Sequence, residues 1–202
     1  MGSHPLTVRT DSQPLNLDPR GVESSSLRDR LLGRLRGERS LAQMRKRGLR
    51  AEPPVRLGRR VFIDAEYAWA VEIGAFAILA NDVRVIAHDA AVKRIVGYTE
   101  VRPVTIGQRC YIGAGTLVLP GATIGDDAIV GAGAVVRGEI PAGSVAVGAP
   151  ARVIGSVEEL RDRHLADLER YPRFDRWPGD LGPDELAEVR RALAETGRVY
   201  LY

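Results

Sequence analysis

The chain has 202 residues, of which 45% are hydrophobic and 27% are charged, and its formal net charge is only +3. This composition is typical of a globular protein with one main domain, and it excludes a fibrous or wholly disordered chain. The sequence shows no apolar run of membrane-spanning length and no secretory signal pattern, and its single cysteine, Cys110, allows no internal disulfide. We therefore expect a cytoplasmic protein without a membrane span.

The first part of the chain is polar and then basic. Residues 1–25 begin with what looks like a cloning scar, followed by a leader rich in Ser, Asp, Gln and Pro that we expect to be poorly ordered. Residues 26–50 place leucines near helical spacing, with nine basic residues against two acidic ones between positions 28 and 50. We interpret this stretch as one or two short helices that end at Gly48, with a solvated basic face and no nucleic-acid partner.

Aliphatic residues then recur at a constant step of six, which fits neither an α-helix nor a flat strand. A chain that turns a corner every six residues would point each aliphatic side chain inward. We expect the glycine that often follows to take the left-handed conformation of that corner. Small residues such as Cys110 occupy the fourth position after the aliphatic one. The aliphatic residues are Ile106, Ile112, Val118, Ile124, Val130 and Val136, and the glycines are Gly107, Gly113, Gly125 and Gly131.

The six-residue pattern therefore predicts a parallel β-helix over residues 51–154, with the repeat beginning near Leu57 and Ile63. The phase then shifts, and between Val85 and Ile106 the spacing is 21 residues, which is not a multiple of six. We expect residues 87–103 to leave the β-helix as a loop. Long loops on rigid scaffolds commonly contain functional residues.

We expect residues 155–202 to form a helical extension. Ser156 and Glu159 form a capping box that predicts a helix to about Arg170. A second helix is expected over Pro183–Glu195, and residues 199–202 favour a short strand.

The repeat segment resembles a known family. The run VTIGQRCYIGAGTLVLPGATIGDDAIVGAGAVV from Val104 to Val136 is similar to hexapeptide-repeat acyltransferases, and GAPARVI at 148–154 resembles their usual exit from the β-helix. The motifs flanking the loop, IAHD at 86–89 and TIG at 105–107, resemble those of sugar and polysaccharide O-acetyltransferases of the maltose acetyltransferase-like group. The resemblance implies a mainly β, left-handed parallel β-helix with helical appendages at both ends. It also implies acetyl-CoA as co-substrate, a sugar-like acceptor and a homotrimer with active sites between subunits.

His88 is the candidate catalytic base. Transfer of an acyl group from a thioester to a hydroxyl needs a base that titrates near neutrality, as histidine does. His88 lies at the mouth of the predicted loop, and the family's catalytic histidine occupies the matching place. Cys110 falls at a packed small-residue position, so we expect a buried thiol and direct transfer without a covalent intermediate.

Several other residues are candidates for the site. A carboxylate or carbonyl should hold the imidazole in one tautomer, and the sequence does not choose among Asp64, Asp82 and Asp89. Candidate acceptor contacts are Asp64, Asn81 and Tyr98, with Tyr67, Trp69 and Arg102 as further ring contacts.

The resemblance also implies a site for CoA along a corner of the coil. The matching positions are Gly113, Ala114 and Ala132, where small residues leave backbone groups accessible. Arg137 and Arg152 are candidates for the phosphates; Arg152 matches the family's basic position, whereas Arg137 comes one position early.

Two alternatives remain open at this level: N-acetylation of an amino sugar or antibiotic, and a non-catalytic β-helix scaffold. No metal site is predicted, because the chain has only three histidines, His4, His88 and His164.

Overall fold

The computed structural model describes residues 40–201, in which short parallel strands stack into three walls. Strands are numbered in chain order. The first wall contains β1 (Arg50–Ala51), β4 (Val71–Ile73), β9 (Val104–Ile106), β12 (Thr123–Ile124) and β15 (Glu139–Ile140). The second contains β2 (Arg56–Leu57), β5 (Ile78–Leu79), β10 (Tyr111–Ile112), β13 (Ile129–Val130) and β16 (Ser144–Val147), extended by the antiparallel β17 (Arg152–Ser156). The third contains β3 (Phe62–Ile63), β6 (Arg84–Val85), β11 (Leu117–Val118) and β14 (Val135–Val136).

The chain visits the three walls in turn, which confirms the predicted β-helix. Each strand pairs in parallel with the strand one full coil later, so that Ile112, for example, pairs with Val130. All six aliphatic residues of the strict repeat are buried, and Cys110 is buried at the small position between them. The inner faces of the walls thus form one continuous column of aliphatic side chains, which is the core of the fold.

The expected role of the glycines after the aliphatic residues was wrong. None of these four glycines has a positive φ. Their coils approach so closely that a Cβ on Gly113 would lie 2.4 Å from the backbone nitrogen of Ala132. The left-handed corner positions come two residues later, at Gly115 and Gly133, and elsewhere at non-glycine residues such as Asp127.

Two excursions leave the β-helix at the corner between the third and first walls, which we call the loop corner. The first, residues 64–70, contains a 3-10 turn at Ala68–Ala70. The second corresponds to the predicted loop 87–103. It begins with β7 (His88–Asp89), passes through helix α2 (Lys93–Val96) and returns in β8 (Glu100–Val101), antiparallel to β7.

Helices flank the β-helix within one compact unit. The short α1 (Leu41–Arg45) precedes Gly48, whose φ is +94°. After the walls, the Ser156 capping box opens α3 (Val157–Arg170) as predicted, and α4 (Pro183–Thr196) follows. Strands β18 (Arg173–Phe174) and β19 (Tyr200–Leu201) pair in parallel, with a 3-10 turn at Pro178–Asp180 between them in sequence. The predicted leader and residues 26–39 of the basic segment lie outside the described residues.

Candidate functional site

His88 lies at the base of the long loop, where the coil wall gives way to β7. Its backbone is fixed by antiparallel pairing with Val101, and Arg102 N donates to Ala87 O across the same junction at 2.9 Å. The side chain is 31% exposed. A rigid scaffold therefore presents a solvent-accessible imidazole.

Asp64 is the group that holds this imidazole. Ile63 pairs with Val85, so Asp64 lies one coil below Ile86. Its carboxylate is almost fully buried, and Oδ2 accepts from Nδ1 of His88 and, at 3.2 Å, from the backbone nitrogen of Ala87. Because a carboxylate only accepts, the proton of the neutral imidazole belongs on Nδ1, which leaves the Nε2 lone pair free.

The other two aspartates considered as partners have different contacts. Asp82 receives two hydrogen bonds from Arg60, at 2.6 and 2.7 Å, and this guanidinium lowers the pKa of the carboxyl. Asp89 Oδ1 accepts from the backbone nitrogen of Ala91 at 2.8 Å. Only Asp64 of the three contacts His88.

An aromatic side chain covers part of the histidine ring. The ring centroids of Tyr67 and His88 are 4.6 Å apart, with a tilt of 34°. Tyr67 lies on the 64–70 excursion, together with Asp64. The sequence signal for this excursion is the shifted phase of the repeat after Ile63.

The candidate CoA residues Gly113, Ala114 and Ala132 lie on a different corner. They occupy the turn between the second and third walls, which we call the glycine corner. Successive coils are joined there by backbone hydrogen bonds, such as Gly133 N to Ala114 O at 2.8 Å. Within one chain, the structure does not bring these residues together with His88.

Asn81 also lies on the glycine corner and not beside His88. Its Oδ1 accepts from the backbone nitrogen of Arg59 at 2.8 Å, and its carbonyl accepts from Gly115 at 2.9 Å. The side chain thus joins adjacent coils, and its assignment to an acceptor pocket stays a prediction. The carboxylate of Asp64 is buried beneath His88 and contacts its imidazole. Tyr98 lies on the long loop, just after α2, and is 80% exposed.

Basic side chains line the loop corner toward the C-terminal end of the coil. The pairing of β6, β11 and β14 stacks Ile86, Leu119 and Arg137 in one column, which places Arg137 about 10 Å from Ile86 along the axis. The guanidinium of Arg102 lies against Gly121 in the intervening coil. Arg152 begins β17, and its Nη1 donates to the carbonyl of Ala151 at 3.0 Å.

Cys110 is a core residue, as expected. Only 1% of it is exposed, and burial raises the pKa of its thiol to about 11. Its Sγ donates to the carbonyl of Gly125 at 3.1 Å. Such a thiol stays protonated near neutrality and is a poor nucleophile.

No helix within residues 40–201 is long and apolar enough to cross a membrane.

Comparisons with known proteins place the repeat among acyl-transfer enzymes. Residues 103–138 match the family described as bacterial transferase hexapeptide (six repeats). A serine acetyltransferase of Helicobacter pylori is 36% identical over 118 residues, which cover 57% of this chain and 67% of the relative. A galactoside O-acetyltransferase of Escherichia coli is 45% identical over 62 residues, covering 31% of this chain and 30% of that protein. Among solved structures, a maltose O-acetyltransferase from Clostridium difficile is 27% identical, with a TM-score of 0.46 over 63% of this chain and 83% of that one.

Proposed function

Because this chain belongs to the hexapeptide-repeat acyltransferase family, we propose that it moves an acetyl group from acetyl-CoA to a hydroxyl of a sugar, polysaccharide unit or glycosylated natural product. The family makes the protein an acyltransferase. The proposed direct transfer to a hydroxyl rests on the His88–Asp64 pair at the mouth of the long loop, where an oriented imidazole is exposed to solvent.

The proposed reaction is a direct transfer. The acceptor hydroxyl oxygen attacks the thioester carbonyl carbon while Nε2 of His88 takes the hydroxyl proton. The tetrahedral adduct then collapses, the C–S bond breaks, and the leaving sulfur takes that proton from the imidazolium. The products are an acetyl ester and free CoA thiol. Asp64 stabilises the transient imidazolium from beneath, and Cys110 takes no part.

The residues of the loop corner fit an anionic co-substrate. Arg102 and Arg137 make no ion pair within residues 40–201, so both guanidinium groups are free to meet phosphate oxygens. They lie on the C-terminal side of His88 along one edge, which favours a CoA molecule lying parallel to the coil axis with its thioester at the histidine.

A site shared between two copies of the chain would bring the candidate CoA residues of the glycine corner next to the loop corner that carries His88. The glycine corner and the loop corner are separated by the full width of the third wall. If the glycine corner of one copy faces the loop corner of its neighbour, then Gly113, Ala114 and Ala132 flank the same CoA as Arg137. We therefore include a homotrimer with sites between subunits in the proposal.

Transfer to oxygen is the leading form of the reaction. The relative named galactoside O-acetyltransferase has the highest identity to the repeat among those compared above. N-acetylation of an amino sugar or antibiotic would use the same base and remains the second candidate.

The test is release of free CoA thiol from acetyl-CoA across a panel of sugars, amino sugars and amino acids. We expect His88→Ala to lower kcat by roughly 10² to 10⁴. His164→Ala is the matched control, because this histidine lies on α3 and hydrogen-bonds Tyr200 at 2.9 Å. An active His88→Ala protein would contradict the proposed base, and no thiol release with any hydroxyl or amine would favour the scaffold alternative.

A further inference from the structure

Two aromatic rings extend from His88 along the 64–70 excursion. Tyr67 stacks on the imidazole at 4.6 Å, and the ring of Trp69 follows at 6.3 Å from Tyr67 with a tilt of 59°. The three rings form a row that starts at the candidate base. The row leads outward, since Trp69 is 56% exposed.

The protein holds Trp69 firmly yet leaves its ring uncovered. The neighbours Ala68 and Ala70 are buried, with 0% and 8% exposure, and fix the backbone on both sides. The backbone of Gly48 packs so closely that a Cβ there would lie 2.7 Å from Cβ of Trp69. A large apolar ring fixed at its base and open on its surface is suited to contact a ligand.

We propose that Tyr67 and Trp69 form an aromatic shelf that takes the C–H face of a pyranose ring, with one ring hydroxyl directed toward Nε2 of His88. The C–H groups on one face of a pyranose carry partial positive charge, which suits the negative face of an aromatic ring. The hydroxyls project from the rim of the sugar, so stacking on the shelf turns them toward the neighbouring imidazole. This inference rests on the acetyl transfer proposed above and narrows its acceptor to a pyranoside.

Neither Asp64 nor Asp89 offers a site for the α-ammonium group of a free amino acid such as serine. An α-ammonium group needs an available carboxylate, and the carboxylate in contact with His88 is already used. Asp64 is 2% exposed and accepts from both His88 and the backbone of Ala87. Asp89 follows His88 in β7 and therefore points to the opposite face of the ribbon.

The experiment compares acceptors that have a pyranose ring face with acceptors that lack one. Methyl β-galactopyranoside and methyl β-glucopyranoside present that face, galactitol carries similar hydroxyls without a ring, and L-serine is the zwitterion. We expect Trp69→Ala to raise KM for the pyranosides roughly ten-fold or more while kcat stays within about three-fold. The KM for acetyl-CoA should not change, and Trp69→Phe should restore most of the loss. Trp177→Ala is the matched control, since that tryptophan is 46% exposed on the C-terminal segment.

The outcomes separate this inference from the proposed function. An unchanged pyranoside KM in Trp69→Ala, equal use of galactitol, or transfer to serine alone overturns the shelf while acetyl transfer stands. Dissociation of Trp69→Ala in sedimentation makes the ring an assembly contact and also overturns the shelf. If no acceptor releases thiol, saturation-transfer NMR with methyl β-galactopyranoside decides the matter. Binding that Trp69→Ala abolishes supports the shelf without the reaction, and absence of binding refutes both.

Discussion

Asp64 illustrates how a single buried residue can decide the state of the proposed catalytic base. Its carboxylate is withdrawn from solvent and accepts from the imidazole, so it fixes both the orientation of His88 and the nitrogen that carries the proton. An amide in its place could present either its oxygen or its NH₂ group to Nδ1. The second arrangement would favour the wrong tautomer.

We expect Asp64→Asn to lower kcat by about 10- to 1,000-fold with little change in KM for acetyl-CoA, because the base is misoriented while the co-substrate contacts remain. The measurement is steady-state thiol release by the variant. Asp82→Asn is the matched control, since Asp82 pairs with Arg60 on the glycine corner. Equal losses in the two variants would show that the effect is structural and not specific to the histidine.

Cys110 gives a prediction for stability at alkaline pH. Burial raises the pKa of the folded thiol to about 11, whereas an unfolded cysteine titrates near about 8.5 to 9. As pH rises through this interval the unfolded chain loses its proton first, so the free energy of unfolding falls by up to about 1.4 kcal/mol per pH unit.

The variant Cys110→Ala lacks this group. In urea unfolding from pH 8 to 10, we expect the stability difference between wild type and variant to shift by about 1–2 kcal/mol in favour of the variant. Parallel pH curves would mean that the folded thiol ionises as readily as the unfolded one.

At the scale of residues, the sequence indicates a candidate base more readily than it indicates the contacts of that base. His88 is recognisable because a titratable side chain follows the last regular strand before a loop. Its partner is not, since Asp64 precedes it by 24 residues and meets it only through the stacking of two coils. Asp82 and Asp89 are closer in sequence, and only the register of the third wall distinguishes the three.

Within the β-helix, some glycines are needed because adjacent coils approach closely, and others because the backbone takes a positive φ. Gly113 has an ordinary φ, but its missing Cβ lets the next coil approach to within van der Waals contact. Gly115 has a φ of +70°, and a Cβ there would meet no atom within 4 Å. One position is limited by space and the other by backbone conformation.

The pair Gly113→Ala and Gly115→Ala tests this division. We expect Gly113→Ala to destabilise the protein by about 1–3 kcal/mol or more, because the new methyl group meets backbone atoms that cannot rotate away. Gly115→Ala should cost about 1 kcal/mol, for strain alone. Thermal unfolding of both variants provides the measurement. A milder effect at Gly113 than at Gly115 would contradict the close-approach explanation.

The sequence period predicts the walls, the inward residues and the long loop because each depends on spacing alone. It does not distinguish the two uses of glycine, since both place the same residue type inside the same repeat. Arg109 and Asp127 show the same limit, because they take left-handed corners that a pattern of glycines does not mark.

Across the whole molecule, the outward faces of the walls differ in polarity. The first wall presents polar side chains, including Glu72, Thr105, Thr123 and Glu139. The second wall presents Ile78, Tyr111 and Ile129 in register, and Tyr111 is 45% exposed. Phe62 on the third wall is 46% exposed. On the third wall the exposed Arg84 lies over the Phe62 ring, so the apolar outer surface belongs to the second wall, and it favours burial against another copy of the chain.

We expect sedimentation velocity to give three times the 22.0 kDa mass of the chain. Tyr111→Asp should dissociate the assembly, because a charge would be buried without a partner in an apolar contact. Activity should fall with it, since the proposed site combines the loop corner of one copy with the glycine corner of another. The matched control is Thr123→Asp on the polar first wall, which should remain trimeric and active. A monomeric wild-type protein with full activity would rule out the shared site and leave CoA to the loop corner of one chain.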